Sequence, residues 1–340
     1  MSIKVPFDEM KATVKKAFLC MGLTDEQAEI CASVHTASSA DGVESHGMNR
    51  IPRFADYVKK GWINLKGSPR LVKARGAAEN YDGELGIGVI NALFCGKRAT
   101  ELAMEHGIGL VALKNTTHWM RGGTYAWRMA EDGFIGICWI NTESCMPLWG
   151  SDVPSVGNNP FCVAIPRENG EIVVDMAMSQ YAYGKLGVYR LAGKTLPYPG
   201  GFDKDGNLTS DPGAIEESQR ILPTGYWKGS SLALALDLAA AAISNGLCGI
   251  DMDAANNGSC TGCSQIFIAI DPYLFGAKED IQKMFDRRVA AADAAHPIDP
   301  HHPVKCPGEN TVARREKSMS EGVNVDETVW EEINKIIRAV

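Results

Sequence analysis

Apolar residues recur every three or four positions near the start of the chain. Phe7, Met10, Val14, Phe18 and Met21 keep that spacing, which predicts an amphipathic helix over residues 8–21. Gly22 is a natural stop. Thr24 and Gln27 have the spacing of a capping box, so a second helix is predicted over 25–39, with Ala28, Cys31, Val34 and Ala37 on its apolar side. A third is predicted to begin near Pro52, carry Phe54, Tyr57 and Val58, and end at Gly61.

The period then shortens. Residues 70–74 read as a strand and Tyr81-Asp82-Gly83 as a turn. A helix is predicted over 89–106, then a buried strand over the apolar run 108–113. Residues 114–124 read as a loop with His118, Arg121 and the pair Gly122-Gly123, followed by a helix over 125–131 and a strand over 134–140. Residues 162–165 and 172–176 flank Glu168-Asn169-Gly170 and predict a hairpin. Residues 178–228 are rich in Gly, Pro and Tyr and read as one long loop. Beyond it, a buried Ala/Leu-rich helix is predicted over 231–245 and a strand over 265–270. Helices are predicted over 278–295, 310–320 and 326–337. Strands alternating with helices predict an α/β class with some parallel pairing. We expect a helical segment at 1–70, an α/β core at 71–275 and a helical segment at 276–340 that packs back on the core.

Composition narrows the function. The net charge of −7 argues against a general nucleic-acid binder. The first residues lack the pattern of a secretory leader, and the most apolar run, 232–243, is short and interrupted by Asp237, so we expect a soluble cytoplasmic protein and no membrane partner. The ten cysteines are scattered, as expected of buried, reduced thiols. The one CxxC is Cys260-Thr-Gly-Cys263. A zinc site would need a second ligand pair, which Cys306 with His301 and His302 could supply, from a loop. We expect no metal; a structural metalloprotein built on those residues is the non-enzyme alternative.

Residues 41–54, DGVESHGMNRIPRF, concentrate the candidate chemistry between two helices. His46 can exchange a proton near neutral pH. It can equally cap a helix end. His118, in the Gly-rich loop after a buried strand, is a second candidate or a surface histidine. Arg50, four residues after His46, could grip a carboxylate, with Arg53 and Arg121 as competitors. Asp175, at the end of a strand, could orient a histidine or cap a turn. The nearest match to a dinucleotide fingerprint, Gly86-Ile-Gly88-Val-Ile-Asn91, lacks the third glycine, and no GxxxxGK[ST] loop occurs.

These stretches together carry a resemblance. Ser45-His46-Gly47 with Asn49-Arg50, HGIGLVAL at 106–113, HWMRGG at 118–123, FIGICW at 134–139, VDM at 174–176, GYWKG at 225–229, SQIFIAI at 264–270 and Pro307-Gly308 resemble the malate/L-lactate/L-sulfolactate dehydrogenase family of non-Rossmann NAD(P)-dependent reductases. The resemblance covers nearly the whole chain, although residues 291–306 match poorly. It implies a mixed-sheet α/β core of the L-sulfolactate dehydrogenase type and a homodimer. The implied activity is reduction of a 2-oxo acid, sugar-derived or simpler, or of an imino acid. His46 matches the family's proton donor, and Arg50 and His118 match positions lining the substrate site. Asp175 and Ser45 would hold and assist His46. The cofactor is implied to meet Glu171, Ile172, Val173, Val174, Asp175, Met176 and Ala177, then Trp227 and Lys228, then Gly308, Glu309 and Asn310. NADH is expected, with NADPH the alternative, because no basic cluster for a 2′-phosphate stands out.

Overall fold

A computed structural model describes residues 2–339. In chain order it comprises β1 (Ser2–Val5), α1 (Phe7–Cys20), α2 (Asp25–Ala40), α3 (Ile51–Lys59), β2 (Arg70–Arg75), β3 (Ala78–Asp82), α4 (Gly88–His106), β4 (Ile108–Thr116), α5 (Gly123–Glu131) and β5 (Ile135–Ile140). Then come β6 (Phe161–Ile165), β7 (Ile172–Met176), α6 (Tyr183–Leu191), β8 (Gly201–Phe202), β9 (Leu208–Thr209), α7 (Pro212–Ser218), α8 (Trp227–Ser244), α9 (Gly249–Ala255) and β10 (Cys263–Ile270). The chain closes with α10 (Lys278–Asp293), α11 (Glu309–Glu321), β11 (Val323–Asp326) and α12 (Glu327–Arg338).

Seven strands form the central sheet in the order β2-β3-β4-β10-β5-β6-β7. Among the described residues of this sheet only β3 and β4 pair in parallel, because α4 carries the chain back between them, and the other pairings are antiparallel. β10 lies at the centre. Its side chains alternate between two cores, as strand geometry requires. Phe267 and Ala269 pack under α4 and α5, and Ile266 packs on the opposite face with Ala233, Leu236 and Ala240 of α8.

A third core joins the two ends of the chain. β1 pairs with β11, and Met10, Val14 and Phe18 of α1 share one cluster with Val323, Val325 and Ile333. The C-terminal segment therefore divides. Its α10 packs on the β6–β7 hairpin, where Arg167 Nε donates to Asp286 at 2.7 Å, while its last elements pack on the N-terminal helices. The predicted capping box is present: Thr24 Oγ1 accepts from the Gln27 N–H at 3.2 Å, and Gln27 Oε1 accepts from the Thr24 N–H at 3.0 Å.

Three expectations are corrected. Tyr81 and Asp82 belong to β3 and do not turn the chain; the strand is short, polar and recruited by pairing with β2 and β4. Residues 178–228 are not one loop, since α6, α7 and the β8–β9 pair organise them. The helix predicted as buried, α8, buries only one side. Leu232, Leu234, Leu238 and Ile243 face outward, with Leu238 57% exposed. Among the described residues no single helix is long and apolar enough to cross a membrane.

Replacing Thr24 with Ala removes one half of the reciprocal cap. Unfolding free energy from urea titration should drop by about 1 kcal/mol; an unchanged midpoint would show that the cap contributes nothing.

Candidate active site

After α2 the chain turns at Gly42, whose φ of +78° suits a glycine. Two single 3₁₀ turns, Glu44–His46 and Met48–Arg50, lead into α3. Gly47 lets this loop lie flat on α2, because a Cβ there would stand 2.2 Å from Ser39 Oγ and 2.9 Å from the His35 carbonyl oxygen. The Met48 N–H donates to Ser39 Oγ at 2.9 Å and fixes the register. Ser45, His46 and Arg50 are thereby turned toward a cavity of about 550 Å³, whose wall also carries His118, Arg53 and Glu143.

Four predicted groups thus meet. The His46 and His118 rings lie 5.6 Å apart between centroids. Ser45 Oγ is 3.0 Å from His46 Nδ1, so Ser45 is the side chain that sets the imidazole's orientation. The Met120 N–H donates to His118 Nδ1 at 2.8 Å. Neutral His118 then carries its proton on Nε2 and is a donor there. Arg50 Nε donates to the Ser45 carbonyl at 2.9 Å, which pins the guanidinium. Arg50 makes no ion pair among the described residues. A guanidinium without a carboxylate on a cavity wall can take one from a ligand.

The glycines at 86 and 88 also serve this wall. A Cβ on Gly88 would lie 2.2 Å from the Thr117 carbonyl oxygen and 2.4 Å from that of His118. The Gly88 N–H donates to Thr117 Oγ1 at 2.9 Å, and that hydroxyl donates to the Gly86 carbonyl at 2.8 Å. The partial fingerprint is therefore a packing device that seats His118.

Asp175 is placed differently from expectation. It makes no hydrogen bond to His46; its Oδ2 accepts from Arg121 Nε at 3.2 Å and its Oδ1 from Cys162 Sγ at 3.2 Å. It reaches His46 as a charge. Arg121 does not compete for a ligand carboxylate, because it is spent on Asp175 and Asp41. Sequence reasoning missed this ion pairing, and no spacing rule links residues 41, 121 and 175.

Burial holds His46 down to about 4, from an ordinary value of 6.5; the Arg50 and Arg121 charges act in the same sense and Asp175 opposes them. Burial, with Arg50 and His46 beside it, also holds His118 well below the usual histidine range. Without a ligand anion the pair is neutral at pH 7.

The three predicted cofactor segments form one strip along β7, the outer edge of the sheet. The Val173 N–H donates to the Pro307 carbonyl at 3.0 Å and seats Gly308, whose φ is +105°. A Cβ on Gly308 would come within 3.4 Å of Glu171 O and Val173 N, so glycine permits the close approach of Glu309 and Asn310 to the strand. At the other end the Thr224 N–H donates to the Met178 carbonyl at 2.8 Å, bringing Trp227 and Lys228 at the start of α8 beside Ala177. Met176 and Trp227 are exposed there. An outer strand, two exposed apolar side chains and a long helix's N-terminus fit an extended dinucleotide.

The sequence profile of the malate/L-lactate dehydrogenase family matches residues 5–334. The chain belongs to that family. It is 42% identical over 338 residues to the 2,3-diketo-L-gulonate reductase of Citrobacter koseri and 43% identical to that of Klebsiella pneumoniae, covering 98% of this chain and 100% of each relative. Among solved structures, sulfolactate dehydrogenase from Methanocaldococcus jannaschii superposes with a TM-score of 0.91 at 28% identity, covering 99% of this chain and 97% of that one. Malate dehydrogenase from Entamoeba histolytica, 23% identical with a TM-score of 0.92 over 100% of this chain and 98% of that one, shows the shared fold. This member of the malate/L-lactate dehydrogenase family is an oxidoreductase acting between 2-oxo and 2-hydroxy acids, in a family that uses NAD(P).

The residues named for the metalloprotein alternative lie in separate surroundings. Cys260 lies by the cavity with its N–H donating to Glu143 Oε2 at 2.8 Å, and Cys263 Sγ donates to the Thr116 carbonyl at 3.6 Å. His302 pairs with Asp299. Among the described residues, Cys260, Cys263, His301 and His302 do not form one cluster, whereas the side-chain ligand atoms of Asp293, Cys306 and Glu309 lie within 4.8 Å of one another.

The His46 shift has a sign that can be checked. The unfolded chain takes up this proton near pH 6.5 and the folded one only near 4. The neutral imidazole's contribution to stability is therefore complete above about pH 6.5 and is lost as pH falls through 4. Urea unfolding at pH 7.5 and 4.5 should show a smaller acid loss in His46→Asn than in wild type. Equal losses would show that His46 is not held neutral by the fold.

Proposed function

We propose that the protein reduces 2,3-diketo-L-gulonate to 3-keto-L-gulonate with NADH, NADPH being the alternative, as a cytoplasmic homodimer. The observation that carries the reading is the meeting of His46, His118 and an unpaired Arg50 on one cavity wall. Full-length relatives of 42–43% identity that bear this name support the substrate. The size of the cavity supports a polyhydroxy acid over a three-carbon one. The outward leucines of α8 support self-association.

A nicotinamide cofactor held by Glu171–Ala177, Trp227–Lys228 and Gly308–Asn310 would supply a hydride to the carbonyl carbon. Negative charge collects on the carbonyl oxygen, and His46 gives it a proton. Such general acid catalysis is worth about 10²- to 10⁴-fold. Arg50 takes the substrate carboxylate in a planar fork and fixes which carbonyl faces His46. That carboxylate also offsets the Arg50 charge that disfavours the imidazolium. The substrate thereby helps to protonate its own donor. The Nε2–H of His118 steadies the same oxygen or the neighbouring hydroxyl. Ser45 keeps the His46 ring in plane. Asp175 supports the imidazolium from a distance.

His46→Ala should lower kcat at least about 100-fold and leave the fluorescence titration with NADH nearly unchanged; near wild-type turnover would refute the donor role. At saturating NADH, 2,3-diketo-L-gulonate should give a higher kcat/KM than pyruvate or oxaloacetate. Preference for either simple acid would overturn the substrate.

A further inference from the structure

Beside the cavity four charged side chains close on one another. Arg121, 6% exposed, lies between two carboxylates: its Nε donates to Asp175 Oδ2 at 3.2 Å and its Nη1 to Asp41 Oδ2. Asp41 is gripped from the other side by Arg315, at 2.7 and 2.9 Å. The four come from the end of α2, the loop before α5, β7 and α11. Two glycines make the room. A Cβ on Gly123 would stand 2.5 Å from Asp175 Oδ2, and one on Gly122 would stand 2.7 Å from Cys162 Sγ, the donor to the other Asp175 oxygen. Asp175 therefore has one donor for each oxygen and little freedom to rotate.

We propose that Arg121 is a positioning residue, which fixes the Asp175 carboxylate at one distance from His46 and so governs proton transfer by the imidazole. This rests on the reading of His46 as proton donor. A guanidinium reaches both carboxylates at once from a planar fork, which the point charge of a lysine does not do. Arg121 directly follows Met120 and Asp41 directly precedes Gly42, both of which line the cavity beside His46, and the Arg121 and Asp175 charges act on that imidazole in opposite senses. The other groups around the ring are Glu44 and Arg50 on its own loop, Arg53 on α3, and His118. Across the cavity stand Glu143 and Cys260, with Tyr183 and Lys185 of α6. None of these contacts Asp175. Removing Arg121 thus changes the field at His46 both directly and through a freed Asp175.

The test is the pH profile of kcat/KM for reduction by the full-length enzyme with NADH. Activity falls at high pH as the donor loses its proton. In R121Q the Asp175 charge is left uncompensated, and this limb should move up by about 0.5–1 unit. kcat should fall roughly tenfold, as expected when a group held in hydrogen-bond geometry is loosened. R121K keeps the charge and should keep the limb within about 0.3 unit of wild type while kcat still falls. An R121Q limb at the wild-type position overturns the proposal, whatever the loss in kcat, because a merely structural arginine would lower stability without moving it. Should R121Q not fold, D175N reads the same coupling from the other side: its limb should move down, and an unmoved limb overturns the proposal equally. H46N run in parallel separates the two ideas. Near wild-type turnover in H46N would remove the donor reading itself, whereas an inactive H46N with an unmoved R121Q limb removes only the role of Arg121.

Discussion

The ion pairing of Asp41 with Arg121 and Arg315 is the constraint on which the site depends. Both the Asp41 and Arg121 side chains are nearly dry, at 4% and 6% exposure. A buried charge stripped of its partner costs about 3–5 kcal/mol. The chain therefore does not relax around a missing member; it is held in the one arrangement that keeps every charge paired. That arrangement ties the end of α2, from which the His46 loop springs, to the His118 loop, to the sheet edge and to the C-terminal helix α11. The contrast with Arg50 is instructive. One arginine is paired with two carboxylates of the protein, and the other lines the cavity with no carboxylate partner among the described residues.

Local signals told a good deal. The capping box at Thr24 and the periodicity of α1 placed two helices to within a residue, because both depend on neighbours in sequence. His46, Ser45 and Arg50 were readable for the same reason: one short loop carries all three. The strip along β7 was not readable from spacing. Its segments near 175, 227 and 308 come from distant parts of the chain, and only the family resemblance pointed to them. Reading Asp175 as a carboxylate at a strand end gave it the wrong contact. A carboxylate near a histidine suggests a direct hydrogen bond, but Arg121 is the stronger partner and takes it. The strand β3 was missed because Ala78–Asp82 is polar and short, and its conformation is imposed by the strands on either side. The all-round apolar composition of α8 suggested full burial, yet one face looks outward.

The family's departure from a dinucleotide-binding parallel sheet has a physical counterpart here. Glycine-rich turns in that motif admit phosphates to a helix N-terminus. In this chain the glycines at 86 and 88 admit the backbone of Thr117 and His118 to α4. Close approach is used to seat the His118 loop against α4.

The strand order has a consequence for how the molecule is made. β10, at residues 263–270, inserts between β4 and β5, which leave the ribosome well over a hundred residues earlier. Until it arrives, two apolar strand edges wait unpaired, the kind of intermediate that invites aggregation and slows folding. The clamp at Asp41 comes later still, with Arg315, and the first strand finds its partner only at Val323–Asp326. A nascent chain of this topology therefore holds Ser45, His46, Arg50 and His118 long before Arg315 arrives to close the clamp on Asp41.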